Sequence, residues 1–152
     1  MKSALRVAIT AAIVGVAAVG CGATAAATPG QGISARLLGQ GHVGDSDYVL
    51  REYTLAPGGS TGWHYQDGAA YVHVISGTLS HYGPDCALNG IHGPGDISSE
   101  PPGPGNVHDG RNEGSEPVVM DVLYIQPTGM PTSVDTPAPN CAASTASESI
   151  GE

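Results

Sequence analysis

Short apolar segments separated by glycine and proline are the feature that most constrains how this chain can fold. The 152 residues include 23 glycines and 12 prolines, which divide the chain into candidate strands of roughly five to eight residues. No stretch beyond the N-terminal segment has sustained helical periodicity. The predicted strands are residues 33–38, 48–55, 69–75, 78–82, 97–100 and 118–125. This pattern predicts an all-β domain, a sandwich or small barrel with jelly-roll topology.

The segment 118–125 is the most apolar of these strands. Alternate residues of a strand point to opposite faces of a sheet. In this segment both sets of alternate residues are mainly apolar. We therefore expect this strand to lie in a sheet that is covered on both sides.

The N-terminus has the pattern of a bacterial lipoprotein signal. Lys2 and Arg6 precede an almost unbroken apolar run at residues 7–19, and Cys21 follows directly after small residues. Cleavage before Cys21 and acylation of its thiol are predicted, with ordinary signal cleavage after Ala25 as the alternative. The protein is then extracytoplasmic and anchored to the membrane by its lipid, or else secreted.

The number of cysteines agrees with this prediction. Of three cysteines, acylation of Cys21 leaves Cys86 and Cys141 to form a disulfide, or to remain as free thiols. The predicted organisation is a signal peptide at 1–20, a flexible tether at 21–32, a β-barrel at 33–127 and an extension at 128–152. We expect this extension to be tied at Cys141 and disordered beyond it.

Charge excludes one class of partner. Once Lys2 and Arg6 are removed, the mature chain has only three arginines against 14 acidic residues. Such a surface repels nucleic acid, so nucleic-acid binding is not expected. It also repels anionic lipid headgroups, so membrane association would depend on the N-terminal lipid alone.

Two motifs resemble those of the cupin family. Gly58, five residues, His64 and then a strand ending at Gly77 resemble the first cupin motif. The run at 105–112 is similar to the G-x-x-H-x-x-x-N end of the second motif. The resemblance covers about residues 45–127 and is strongest to small secreted single-domain cupins of actinobacteria. It implies a single cupin-type jelly-roll β-barrel, in a superfamily whose members are often homodimers.

The resemblance also implies a metal site, but two of its usual ligands are missing. Cupins that hold a metal usually use three histidines and one glutamate. Here His64 and His108 are retained, Gln66 replaces the second histidine, and Ala70 replaces the glutamate. His64, Gln66 and His108 are thus the predicted ligands of one divalent transition metal ion, in a weak site without an anionic ligand. The alternative is a hydrogen-bonded histidine pair in a barrel whose site has decayed.

Other residues are candidates for supporting roles. Trp63 and Arg111 are predicted to contribute to ligand binding, since Arg111 is one of the few cations available to an anionic ligand. Among the remaining histidines, His81 is a better candidate for a third ligand than His92. His73 is three residues after Ala70 on the same predicted strand and therefore lies on the opposite face. Its side chain should point away from the site.

Three functions are compatible with these residues. The first is an extracytoplasmic, lipid-anchored cupin that binds a small polar ligand, with or without metal. The second is a metal-dependent enzyme, either a dioxygenase, an isomerase or a lyase. The third is a structural or interaction role on the cell envelope.

Overall fold

A computed structural model describes residues 26–141. The predicted signal peptide, the predicted acylation site Cys21 and the end of the extension, residues 142–152, lie outside the described residues. Between residues 26 and 141, no helix is long and apolar enough to span a membrane. Besides a 3-10 turn at Pro104–Asn106, the described elements are the strands β1 (Gln31–Val43), β2 (Ser46–Ser60), β3 (His64–Tyr65), β4 (Ala69–Ser76), β5 (Leu79–Tyr82), β6 (Leu88–His92), β7 (Ile97–Glu100), β8 (Asp109–Arg111), β9 (Val118–Pro127) and β10 (Val134–Asp135).

The strands form an antiparallel jelly-roll barrel. One eight-stranded sheet has the order β6-β5-β8-β2-β9-β4-β7, with β1 paired to β2. The long strand β2 pairs with β9 over residues 46–55 and with β8 through Ser60, so it joins these two strands within the sheet. A small second sheet pairs β3 with β10. The all-β barrel predicted from the sequence is confirmed.

The core lies on the inner faces of β4 and β9. Burial alternates along both strands, as expected where one face of a sheet meets the core. The buried apolar residues are Leu55, Ala70, Val72, Val74, Leu79, Val118, Met120, Val122 and Tyr124.

The outer face of β9 differs from its prediction. Its alternate residues are only half-buried, and the neighbouring Tyr71 and Ile75 on the same face of the sheet are each 44% exposed. The described residues place no second layer over this face. The apolar side chains along it are shielded laterally by the adjacent strands β2 and β4, rather than by a covering element.

The barrel begins earlier than predicted. Strand β1 starts at Gln31, inside the predicted tether, and continues to Val43, beyond the end of the predicted strand at 33–38. The preceding Thr28 bonds to the Thr136 carbonyl through both its backbone N–H, at 2.9 Å, and its hydroxyl, at 3.0 Å. The end of the predicted tether is therefore fixed to the barrel by backbone pairing, which requires no apolar side chains and leaves little trace in the sequence.

The chain beyond the barrel is held by a disulfide. Cys86 and Cys141 are bonded, with their Cα atoms 5.9 Å apart, as predicted. Cys86 follows a tight turn in which its N–H donates to the Gly83 carbonyl at 2.9 Å. The disulfide therefore ties the extension to the β5–β6 connection.

Candidate metal centre

Three buried side chains converge inside one end of the barrel. His64, Glu100 and His108 each offer one potential ligand atom, and these atoms lie within 4.8 Å of one another. The two histidines also face each other through a backbone bridge with N–H···O distances of 3.0 and 2.9 Å. The two histidines of the cupin-like motifs thus lie side by side, with ring centroids 4.4 Å apart.

Glu100 is the site residue that sequence analysis missed. It ends β7, and its register partner in β4 is Ala70, the position where the motif has its glutamate. Directly opposite residues of an antiparallel pair share a face, with Cβ atoms about 4.5–5.5 Å apart. Because Ala70 is fully buried and has only a methyl group, the Glu100 carboxylate enters the same space from the neighbouring strand. The sequence signal that could have indicated a carboxylate from another strand is the small side chain at position 70.

The histidines have fixed orientations. Nδ1 of His64 is 2.8 Å from the Gly62 carbonyl oxygen, and Nδ1 of His108 is 2.8 Å from the Asn106 carbonyl oxygen. A carbonyl oxygen only accepts, so each Nδ1 donates its proton and each Nε2 keeps its lone pair in the neutral ring. Bonding of the second ring nitrogen to an outer acceptor is typical of metal-binding histidines.

Gln66 lies beside Glu100 and His108, but its orientation differs from that of a ligand. Its Nε2 donates to Glu100 Oε2 at 2.9 Å and lies 3.2 Å from His108 Nε2. Its Oε1, the atom that a metal would bind, is buried without a hydrogen-bond partner. In this arrangement Gln66 holds the carboxylate that replaces the missing glutamate.

The charges of the site stabilise a carboxylate beside an imidazole. Burial acts to raise the pKa of Glu100, but its contact with His108 and the charges of the neighbouring histidines outweigh burial and lower this pKa. Burial acts to lower the pKa of His108, yet the contact with Glu100, at 3.3 Å, raises it overall. Burial lowers the pKa of His64. The site therefore holds an anionic oxygen and a neutral His64, which are forms that bind metal cations.

Two cavities meet at Glu100. One, of about 70 Å³, lies within the barrel beside His64 and is lined mostly by apolar side chains and by Tyr53 and Tyr124. The other, of about 270 Å³, is lined by His108, His81 and polar residues of the surrounding loops. Glu100 borders both cavities, so a metal bound there would lie between them.

Trp63 and Arg111 lie apart from these cavities. Trp63 is only 4% exposed, and the Arg111 guanidinium stacks over the Tyr82 ring at 4.3 Å and over the Trp63 ring at 5.6 Å. Arg111 also binds Asp109 at 2.7 Å. Neither residue lines the cavities beside the histidines, so the structure does not place them with the predicted ligands. Arg111 packs against the two aromatic rings, and Asp109 balances its charge.

The residues present fit a divalent transition metal. Two imidazole nitrogens and one carboxylate oxygen are donors suited to such ions, and Glu100 supplies the negative charge that the motif positions lack. The unpartnered Gln66 Oε1 marks a buried polar position that the protein alone does not satisfy. The protein is thus a jelly-roll barrel in which histidine and carboxylate side chains meet on the inward face of the strands. This combination defines the class of protein to which it belongs.

Comparison with known proteins agrees with this class. The profile of the family described as "Cupin domain" matches residues 51–125. A search of functionally curated proteins found no match. The chain belongs to the cupin superfamily, as the motifs indicated.

Solved structures show the same fold. A cupin-2 domain from Rhodospirillum rubrum has a TM-score of 0.60 at 16% identity, covering 80% of this chain and 77% of that one. The polyketide cyclase RemF from Streptomyces resistomycificus has a TM-score of 0.56 at 23% identity, covering 71% and 74%. A cupin 2 conserved barrel domain protein from Rhodopseudomonas palustris has a TM-score of 0.57 at 17% identity, covering 80% and 79%. At these identities the likeness concerns the fold alone.

Proposed function

We propose that this protein binds one divalent transition metal ion through His64, Glu100 and His108, and holds a small polar ligand beside it. The observation that carries the proposal is the position of Glu100, opposite Ala70 and within 4.8 Å of both histidines at the ligand atoms. A carboxylate restores the charge balance that two neutral imidazoles cannot supply.

Neighbouring residues hold the proposed ligands in position. Gln66 donates to the carboxylate and orients it, while the Gly62 and Asn106 carbonyls orient the two histidines. The apolar walls of the inner cavity limit the access of water. A bound metal would supply Lewis acidity to a ligand at this point.

A metal-dependent enzyme is the second candidate. The observation in its favour is that three protein ligands leave coordination positions free, as in catalytic rather than structural sites, and that Glu100 borders two cavities. A reaction class is not assigned, since the fold supports dioxygenases, isomerases and lyases alike.

We place the protein outside the cytoplasm, anchored by a lipid on Cys21. The Cys86–Cys141 bond supports this placement, because disulfides persist in oxidising compartments and are rare in the cytosol. Mass spectrometry of the protein purified from the membrane fraction tests it. A diacylglyceryl-modified N-terminal Cys21 is expected, and an unmodified chain cleaved after Ala25 would contradict the anchor.

Metal analysis tests the function. The protein loaded with Zn²⁺ and freed of excess metal should contain one ion per chain, while Glu100→Ala and His108→Ala should each contain much less. His73→Ala is the matched control, because His73 lies on the outer face of β4 and its loss should leave the stoichiometry unchanged. Wild-type protein with clearly less than one ion per chain would overturn the proposal.

A further inference from the structure

Arg51 lies on the inward face of β2. The alternate residues on either side of it, Val49 and Tyr53, both pack against the core, so the Arg51 side chain shares their face. Its Nε is buried and has no hydrogen-bond partner among the described residues. A buried donor without an acceptor is costly, and more so when it is charged. A ligand that accepts a hydrogen bond from Arg51 would remove this cost.

The other cations of the barrel are neutralised, whereas Arg51 is not. The part of the chain that the structure describes contains three arginines and no lysine. Arg36 is 2.9 Å from Glu52, and Arg111 is 2.7 Å from Asp109. Arg51 forms no ion pair with any of the described residues, although the chain has 14 acidic residues. Its charge therefore favours an anion from outside the chain, and a guanidinium is well suited to a carboxylate.

The inner cavity reaches the neighbourhood of Arg51. Val122, the register partner of Arg51, lines this cavity together with Tyr53 and Tyr124. The two tyrosine hydroxyls share one hydrogen bond of 3.1 Å, so one of their two protons has no acceptor among the described residues. Burial raises the pKa of Tyr124 well above its ordinary value, and the charge of Arg51 acts in the opposite direction, as expected for a cation near the hydroxyl pair. A cation and a hydroxyl donor are thus available at the same end of the cavity.

The remaining walls of the cavity limit the body of the ligand. They are mostly apolar, with side chains such as Val72 and Met120, and the cavity also extends to His64 and Glu100 of the proposed metal site. Its volume is about 70 Å³. At about 10–15 Å³ for each water-sized group, this volume admits about five to seven non-hydrogen atoms. The space therefore suits a short apolar chain.

We propose that the ligand of this protein is a short-chain carboxylate, held with its anionic end at Arg51 and the Tyr53 hydroxyl and with its apolar body in the inner cavity. This inference rests on the proposed function and names the chemical class of its ligand. A neutral ligand of the same size would leave the charge of Arg51 uncompensated. The carboxylate would thus be selected by charge and the chain length by the cavity.

Butanoate and its neutral counterpart butanamide are the probes, used in NMR titrations of the Zn²⁺-loaded protein. The wild type should bind butanoate at least about 10-fold more tightly than butanamide, the minimum expected for a hydrogen bond to a charged group. Arg51→Met should lose this preference, and Tyr53→Phe should bind butanoate more weakly. Arg36→Met is the matched control, because its exposed cation is paired with Glu52 and its loss should leave both affinities unchanged.

The outcomes distinguish this inference from the proposed metal site. Equal affinities of the wild type for the two probes would overturn the inference. A wild-type affinity for butanoate in folded Arg51→Met would also overturn it, since the carboxylate would then bind elsewhere, such as at the metal ion. Either result, with one Zn²⁺ bound per chain, would leave the metal site intact. If the wild type binds no Zn²⁺, the proposed function is overturned, and titration of the metal-free protein still tests Arg51. If Arg51→Met does not fold, Arg51→Gln is measured in the same way.

Discussion

At the scale of single residues, the candidate site takes its carboxylate from a position outside the motif. Position 70, where the motif has a glutamate, is an alanine, and Glu100 lies directly opposite it on the neighbouring strand. The two positions are equivalent in space because they form a direct pair on the inward face. A carboxylate should therefore function from either of them.

The first prediction exchanges the two residues. Glu100→Ala should reduce Zn²⁺ affinity strongly, and adding Ala70→Glu should restore most of it, because the new side chain enters the site from the strand directly opposite. Calorimetric titration of both variants measures the effect. Adding Ala69→Glu instead provides the control, since position 69 lies on the other face of β4 and should give no recovery. Failure of Ala70→Glu in a folded double variant would contradict the equivalence.

The second prediction concerns the buried Tyr124. Burial raises its pKa well above the ordinary value, and its hydroxyl donates to that of Tyr53 at 3.1 Å. The unfolded chain loses this proton near pH 10, whereas the folded protein retains it, so the free energy of unfolding should fall as pH rises above about 10. Urea unfolding between pH 9 and about 11 measures the slope, and Tyr124→Phe should make it shallower. An unchanged slope in that variant would contradict the prediction.

At the scale of elements, the turn before β3 contributes both to the packing of the fold and to the candidate site. Gly62 precedes β3, has a φ of 75°, and lies against the backbone of Thr28 and Gly30. Its carbonyl holds His64. The turn therefore connects the packing of the N-terminal segment to the orientation of a ligand.

The third prediction compares two glycines with the same backbone conformation. Gly58 has a φ of 76° but open space around it, whereas a Cβ at Gly62 would overlap the Thr28 carbonyl oxygen. Gly58→Ala should cost about 1–2 kcal/mol from the left-handed conformation alone. Gly62→Ala should cost clearly more and should also weaken Zn²⁺ binding. Denaturant unfolding and metal titration check this, and equal effects at both positions would contradict it.

At the scale of the whole molecule, the disulfide joins the extension to the wall of the larger cavity. Gly83 and Pro84 line that cavity, and Cys141 Sγ lies 3.7 Å from the Pro84 carbonyl oxygen. Cys86 and Cys141 are 55 residues apart, so the covalent loop encloses β6 to β10. Loss of the bond should affect the stability of most of the barrel.

The fourth prediction measures that effect. Replacing both Cys86 and Cys141 by serine should lower the free energy of unfolding by roughly 4 kcal/mol, the chain-entropy value for a loop of this length. The urea midpoint of the wild type should fall on reduction, while that of the double variant should not respond to reductant. A wild-type midpoint that is insensitive to complete reduction would contradict this.

The sequence by itself determined the parts of this protein that depend on neighbouring residues. Alternating apolar residues and Gly/Pro turns are local features, and they predicted the strands of an all-β barrel. The resemblance of two motifs to those of cupins implied that His64 and His108 share one site, and the odd cysteine count predicted the Cys86–Cys141 pair.

Only the tertiary structure decided which side chains complete the site. Glu100 lies on β7, and no local pattern in the sequence marks it as part of the site. Its position depends on strand register, in which the pairing of residues 70 and 100 joins segments about 30 residues apart. The orientation of the Gln66 amide likewise depends on Glu100 beside it. Register is established by the packing of the whole barrel, and a shift of one residue would turn the Glu100 carboxylate to the opposite face of the sheet.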